Sequence, residues 1–306
     1  MQIYLPIAEI PVDIITILVL GGGAGFLAGM FGVGGGFIVT PFLIFIGIPP
    51  SVAVASSANQ IIASSVSGFA SHLRRKSVDF KMGSYLLAGG LIGSYIGTLI
   101  FSYLKKLGQI DLVISLSYVL LLGSIGMLMT IESYRSIVKS KKISHVSDKK
   151  SKKHWRDKLP FKVVFPQSKL KVSFLLPIVI GVFSGMIVSI MGIGGGFITI
   201  PAMIYILGIP TTVVIGTSLF QMIIVTSNVT FFHAYLSQTV DIVLAMLLLT
   251  GSVVGAQIGS KMSYKVEPQK LRIMLAMMIL VVASKMALGL LIEPENPFSV
   301  EIHEAS

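Results

Sequence analysis

Two glycine-rich runs are the residues of this sequence whose types and spacing best suit binding chemistry. They lie in GVGGGFIVTP at 32–41 and in GIGGGFITIP at 192–201. Glycine permits close backbone approach and positive φ angles, and the free N–H groups at the start of a helix attract anions. The alternative is that the glycines only permit tight helix packing or a kink. We predict an anion site that contains Gly34, Gly35, Gly36, Gly194, Gly195 and Gly196.

Two polar motifs follow the glycine runs at matching positions. They are SSANQ at 56–60 and TSLFQ at 217–221. Ser57 precedes Gln60 by three residues, and Ser218 precedes Gln221 by three, so each pair shares one face of a helix. We predict that these four side chains donate hydrogen bonds to substrate oxygens. Hydrogen bonding between helices, which is common for such residues in membranes, is the alternative.

Several kinds of catalysis lack their usual residues in this chain. There is no cysteine, which excludes disulfides and thiolate chemistry, and there is no G-x-x-x-x-G-K-[ST] loop for ATP. All 13 Asp and Glu lie outside the long apolar runs, so we expect no carboxylate for proton exchange within the membrane spans. A proton that is coupled to transport would then travel on a weakly acidic substrate or through a histidine. We predict no catalytic residue, no metal ligand, no cofactor and no enzyme activity.

The helices that must position these residues are predicted from composition. Hydrophobic residues make up 54% of the 306 residues and charged residues only 12%, against about 25% charged in soluble proteins. Apolar runs such as 82–101 and 112–131 have the roughly 20 residues that a helix needs to cross a bilayer. We therefore predict an all-α polytopic membrane protein in the lipid bilayer.

An internal duplication organises the apolar runs. The similarity between the glycine motifs continues beyond them with two one-residue slips, for example from Gln60 to Gln221 and from Asp79 to Asp241. Each half contains five helical segments, and an odd number per half predicts two inverted repeats. The segment at 36–47 is short, because 12 residues make a helix of roughly 18 Å and the hydrocarbon core is about 30 Å thick. It and its counterpart at 196–208 are predicted to be broken or re-entrant, which is typical of transporter binding sites.

Charge predicts the orientation of the chain. Of the 24 Lys and Arg, 13 fall within 132–171, as expected for a flexible cytoplasmic linker attracted to anionic lipid. We divide the chain into a first transmembrane repeat at 1–131, this basic linker at 132–171, and a second, inverted repeat at 172–306. The same rule predicts non-cytoplasmic termini and a location in the plasma membrane. Trp155 is the single aromatic beside the basic run with stacking potential, so we predict no nucleic-acid partner.

At its two motifs the sequence resembles the sulfite exporter TauE/SafE family of membrane permeases. The resemblance lies in GMFGVGGGFIVTP at 29–41 with GIPPSVAVASSANQ at 47–60, and in MGIGGGFITIP at 191–201 with GIPTTVVIGTSLFQ at 208–221. It implies transport of sulfite, thiosulfate or an organosulfonate. We therefore expect a secondary transporter, an exporter, of a small anion. An anion channel and a membrane-embedded enzyme that pairs Lys285 with a serine are the alternatives, and homo-oligomerisation is left open.

Overall fold

Most of the described residues fold into α-helices. The computed structural model describes residues 2–140, 161–165, 167–168, 170–262 and 268–291. The helices within these residues are α1 (Ile14–Phe31), α2 (Gly36–Phe45), α3 (Pro50–Arg74), α4 (Phe80–Lys106), α5 (Ile110–Ser140), α6 (Leu175–Met191), α7 (Gly196–Ala202), α8 (Thr211–Phe232), α9 (Ile242–Met262) and α10 (Pro268–Leu291). A π-helical turn extends α7 over Met203–Leu207, and another extends α8 over His233–Ser237. The prediction of an all-α polytopic membrane protein is confirmed.

Five apolar helical stretches of the described residues are long enough to cross a membrane. They are Ile14–Phe31, Phe80–Lys106, Ile110–Leu128, Val213–Ser237 and Ile242–Met262. The segments predicted to be broken are short, since α2 has 10 residues and α7 has 7. The first turns of both are buried, with Phe37 stacked on Phe197 at a ring-centroid distance of 5.6 Å. The two short helices therefore begin inside the protein.

Two β-hairpins precede α1 and α6, a feature that the sequence did not predict. Strands β1 (Gln2–Leu5) and β2 (Ile10–Asp13) form one, and β3 (Lys162–Phe165) and β4 (Leu170–Ser173) form the other. They occupy matching positions in the two halves, so they belong to the duplicated unit. The end of α5 and most of the second hairpin, whose strand β4 ends at Ser173, fall within 132–171, the predicted linker. Its centre, 141–160, and the C-terminal segment 292–306 lie outside the described residues.

Long helices of the two halves pack against each other through glycine. Helix α1 lies along α9, and its counterpart α6 lies along α4. A Cβ atom added at Gly25 would lie 2.3 Å from the Ser252 carbonyl oxygen, and one at Gly93 would lie 2.0 Å from that of Val182. Side chains at these positions would collide with backbone, so glycine is what permits this close packing. Because Gly21 meets Leu248 four residues before Gly25 meets Ser252, α1 and α9 run in the same direction.

Buried aspartates attach each hairpin to a long helix of the other half. Asp241 caps α9 by accepting the Leu244 N–H at 3.1 Å, and it also accepts the Ile7 N–H of the first hairpin at 2.9 Å. Asp79 caps α4 in the same way and accepts both the N–H and the hydroxyl of Ser168, between β3 and β4. Both aspartates are buried. Each hairpin is therefore held at the start of a long helix by a hydrogen-bonded carboxylate.

Candidate functional site

The two glycine runs meet in the interior of the protein. A Cβ atom added at Gly36 would lie 2.3 Å from the carbonyl oxygen of Gly192, and one at Gly196 would lie 2.9 Å from that of Gly32. Gly32 and Gly192 end α1 and α6 with positive φ angles of 72° and 65°. The start of each short helix therefore touches the end of the first long helix of the other half. Both runs are buried throughout.

The backbone of the two runs differs despite their similar sequences. Gly34 and Gly35 have φ angles of 95° and 72°. Gly194 is also left-handed, at 86°, but Gly195 has a φ of −58°, within the right-handed helical region. Only the first run therefore needs glycine at its middle position for conformational reasons.

Helix α3 places a line of polar side chains along the first run. Ser57 Oγ lies 2.8 Å from Thr40 Oγ1 and 3.5 Å from the carbonyl oxygen of Gly192. Ser64 Oγ lies 3.4 Å from the carbonyl oxygen of Gly34. Residues 57, 60 and 64 share one face of α3. This face lines the crossing of the two runs.

Gln60, in the middle of that face, is buried without a hydrogen bond. It is 0% exposed, and neither its Nε2 nor its Oε1 has a partner within the part of the chain that the structure describes. A Cβ atom added at Gly35 would lie 3.0 Å from Gln60 Nε2, so the amide rests against the glycine run. An unpaired buried polar group costs about 1–3 kcal/mol. The fold thus keeps a donor and an acceptor at the crossing at the expense of its own stability.

The first turn of α2 adds further donors beside this amide. Among the described residues, no hydrogen bond is formed by the backbone N–H groups of Gly36 and Phe37. Such groups carry the partial positive charge of the helix N-terminus. The first half therefore presents backbone and side-chain donors within one buried region and places no charged side chain among them.

The second half satisfies the equivalent groups internally. Gln221 Nε2 donates to Ser184 Oγ at 3.0 Å, and its Oε1 accepts the Thr199 hydroxyl at 3.4 Å. The Gly196 N–H points at the Met222 sulfur at 3.0 Å. Ser218 donates to the carbonyl oxygen of Ile215 in its own helix, as Ser57 does to that of Val54 in the first half. The predicted residues Ser218 and Gln221 are therefore bonded to the protein itself.

One-for-one differences between the halves explain this contrast. When the two duplicated motifs are aligned, Ser184, Thr199 and Met222 correspond to Ala24, Val39 and Ile61 in the first half. None of these three first-half side chains has a polar atom that could bond Gln60, and none has a sulfur that could contact the Gly36 N–H. The same glutamine is thus bonded in one half and unpaired in the other.

Two residues of the site were not among the predicted ones. Thr40 contacts Ser57 from α2, and Ser64 continues the polar face of α3 seven residues after Ser57. The helical spacing of Ser64 from Ser57 and Gln60 is a signal in the sequence that could have pointed to Ser64. Thr40 had no such signal, because its duplicated position is Ile200. Within the described residues, no three His, Asp or Glu form a group that could hold a metal ion.

Comparison with known families gives one match that covers most of the chain. The family model of the sulfite exporter TauE/SafE family matches residues 17–286. The match includes both glycine runs and every long helix from α1 to the greater part of α10.

Curated relatives are similar over nearly their whole length. The probable membrane transporter protein YjnA of Bacillus subtilis (strain 168) is 30% identical over 89% of this chain and 99% of its own. The probable membrane transporter protein YunE of the same organism is 24% identical over 89% and 96%. The probable membrane transporter protein MJ0441 of Methanocaldococcus jannaschii is 27% identical over 85% and 90%. No solved structure shows significant similarity to the chain.

Proposed function

This chain belongs to the sulfite exporter TauE/SafE family, and from that premise we propose that it is a secondary transporter of a small anion. Sulfite, thiosulfate or an organosulfonate is the proposed substrate, and export is the proposed direction. The family and the relatives make it a multi-pass membrane transporter. The identity of the cargo, the anionic charge and the direction are the parts that we propose.

The proposal that the substrate is an anion rests on one observation, the hydrogen-bond donors that surround the first glycine run. The N–H groups of Gly36 and Phe37 and the amide of Gln60 are buried and unpaired in the described structure. A cation would find no carboxylate among these residues, whereas an anion would receive several hydrogen bonds and the helix dipole. We propose Gly34, Gly35, Gly36, Ser57 and Gln60 as the substrate-binding residues, and the run from Gly194 to Gly196 as the opposing wall.

We propose further that the two halves have opposite orientations, with the linker in the cytoplasm and the termini outside. Contacts between loops support this arrangement. Lys105 Nζ donates to the Ser237 carbonyl oxygen at 2.6 Å, which joins two loops that loop charge assigns to the outside. Lys81 Nζ donates to the Val164 carbonyl oxygen at 3.2 Å, which joins two regions assigned to the cytoplasm.

Flux measurements on purified protein in proteoliposomes test the function. The panel is sulfite, thiosulfate, sulfoacetate, taurine, sulfate and simple carboxylates, each under an imposed gradient. We expect saturable uptake of one or more sulfur oxyanions, with acceleration by the same anion on the other side. Protein-free liposomes are the control, and taurine, a sulfonate that carries no net charge at neutral pH, tests whether a net negative charge is required.

The alternatives give different results in the same experiment. A channel would show flux that does not saturate and no counterflow. An enzyme would convert a lipid or peptide substrate. Lys285 is the lysine considered for that role, and its ammonium contacts an aromatic ring, since it lies 4.4 Å from the ring centroid of Phe45. Absence of flux for every anion in the panel would contradict the proposed function.

A further inference from the structure

We propose that the substrate is recognised by one half only, and that this subsite binds a monoprotonated oxyanion, an anion that carries both acceptor oxygens and one O–H group. The inference rests on the proposed function and specifies its substrate chemistry. The recognising groups are the Gln60 amide and the N–H groups of Gly36 and Phe37. Within the described residues, the second half closes the site without contributing a free polar group.

Gln60 determines the chemistry because both ends of its amide are unpaired. An amide has N–H donors at one end and a carbonyl acceptor at the other. The nitrogen and oxygen of a glutamine can be interchanged in a structure, but here the conclusion is the same either way, since neither atom has a partner among the described residues. A ligand that satisfies both ends must accept one hydrogen bond and donate another.

The neighbouring N–H groups determine the charge. Gly36 and Phe37 begin α2, a helix of 10 residues, directly after Gly35, against which the Gln60 amide rests. Together with the amide N–H they supply only donors, which suits the oxygens of an anion. The amide oxygen is the one acceptor in the set. This amide oxygen excludes an anion that has no O–H group, because a lone pair of the anion would then face a lone pair of the amide oxygen.

The second half has no equivalent subsite among its described residues. Met222 sulfur already contacts the Gly196 N–H, and Ser184 and Thr199 already bond both ends of Gln221. Helix α7 has 7 residues before its π-helical turn, and Gly195 adopts a right-handed φ. The duplicated motif has therefore kept its binding groups in one half and used them for packing in the other.

A mechanistic consequence is that the proton crosses on the substrate. A protein without a titratable side chain in the site moves one proton with each monoprotonated anion that it carries. None of the proposed binding residues titrates, since the set consists of glycine, serine and glutamine. Transport is then sensitive to a pH gradient through the ionisation of the cargo.

A matched pair of probes tests the proposed chemistry. Methylphosphonate monoanion and methanesulfonate have the same charge and nearly the same shape, but only the phosphonate carries an O–H group. Binding to the purified full chain is measured at mildly acidic pH from the ligand-dependent rise in Tm. We expect the phosphonate to bind roughly 10- to 100-fold more tightly, because a site that is built to bond a hydroxyl leaves its acceptor unpaired without one. Equal affinities, tighter binding of the sulfonate, or binding of neither probe would overturn the inference.

Two substitutions assign this preference to Gln60. Ala24→Ser supplies the hydroxyl that Ser184 gives to Gln221 in the other half, and Gln60→Met removes the amide at nearly constant volume. Either change is expected to raise Tm, because it satisfies or removes unpaired groups, and to abolish the preference for the phosphonate. Gly23→Ser introduces the same side chain on the exposed face of α1, where an added Cβ meets nothing within 4 Å, and is expected to behave as the wild type.

Other outcomes separate this inference from the proposed function. A lower Tm for Gln60→Met, or an unchanged preference in either variant, would show that Gln60 has a structural role and would overturn the inference alone. Wild-type protein that transports anions without distinguishing the probes would do the same. Wild-type protein that transports no anion would overturn the proposed function and this inference together.

Discussion

Gln60 and Gln221 show how two duplicated residues acquire different roles from their surroundings. Gln221 is held by hydroxyl groups at both ends, whereas Gln60 is equally buried but unpaired. The difference depends on Ser184 and Thr199, whose counterparts are Ala24 and Val39. A bonded buried amide stabilises a membrane protein and an unpaired one costs free energy, so Gln221 serves the fold, and we propose that Gln60 binds a ligand.

The middle glycines of the two runs are predicted to respond differently to alanine. At Gly35, alanine requires a left-handed backbone and places Cβ 2.7 Å from the Ala24 carbonyl oxygen. We expect Gly35→Ala to lower the free energy of unfolding by at least about 1–2 kcal/mol. At Gly195 the nearest atom to an added Cβ is 3.5 Å away and φ is −58°. Gly195→Ala should therefore keep or raise stability by a few tenths of a kcal/mol, as for other compatible sites.

Thermal unfolding of both variants in the same detergent provides the measurement. Gly123→Ala, where an added Cβ meets nothing within 4 Å, is the control for helix propensity. Similar losses of Tm for Gly35→Ala and Gly195→Ala would contradict the prediction.

The sequence predicted candidate binding residues in both halves and treated the two halves as equal. Both runs contain GGGF, and both polar motifs end in glutamine, so duplication alone predicts two equivalent sets of binding groups. One part of the distinction, Thr199 against Val39, lies within the glycine motifs, and the other part comes from α1 and α6, which the motifs do not contain. Ala24 has no polar atom and lies far from the polar motif in sequence, so its effect on Gln60 emerges only when α1 and α3 are packed together.

At the scale of elements, the helices were predictable and the hairpins were not. The predicted segment 211–232 coincides with α8, because length and hydropathy constrain a membrane helix strongly. Helix α5 continues to Ser140, beyond the predicted end at 131, since charged residues end an apolar run without ending a helix. The strands of the hairpins have 4 residues each, which is at the lower limit for a recognisable alternating pattern. Their anchors, Asp79 and Asp241, are distant in sequence from the residues that they bind.

Removing one carboxylate oxygen from a hairpin anchor is expected to release the hairpin. In Asp241→Asn, an NH₂ group replaces an oxygen that accepts the N–H of either Ile7 or Leu244. The lost bond to a charged acceptor should cost about 1.5–3 kcal/mol. We expect a lower Tm and faster proteolysis within residues 2–13 than in the wild type.

Glu9→Gln is the matched control for that experiment, because it removes a carboxylate oxygen from an exposed residue in the turn of the same hairpin. Its Tm and proteolysis should stay close to wild type. If Asp241→Asn also behaves as wild type, the buried carboxylate does not hold the hairpin in place.

At the scale of the whole molecule, the two halves exchange equivalent contacts. Helix α1 packs on α9 as α6 packs on α4, and α3 packs on α8. Helix α9 begins beside Ser56, near the start of α3, because the Asp241 N–H donates to the Ser56 hydroxyl. Helix α4 begins where α3 ends. The first residues of α4 and α9 therefore lie towards opposite ends of α3, as we propose for inverted halves, and a substrate at the glycine crossing would be approached from either side of the membrane.

Equivalent positions in the two halves are predicted to face opposite sides of the membrane. Lys76 and Gln238 correspond in the duplication, are both exposed and both have positive φ angles, of 54° and 49°. The chain contains no cysteine, so Lys76→Cys and Gln238→Cys each introduce one unique thiol. A membrane-impermeant maleimide should label Gln238→Cys in intact cells and Lys76→Cys only after permeabilisation.

A third position on the outer side provides a further test. Gln109→Cys, in the exposed turn after Lys105, should be labelled in the same way as Gln238→Cys, because Lys105 contacts Ser237. Labelling of both equivalent positions from the same side would require parallel halves, and a two-sided approach to the glycine crossing would then lose its structural basis.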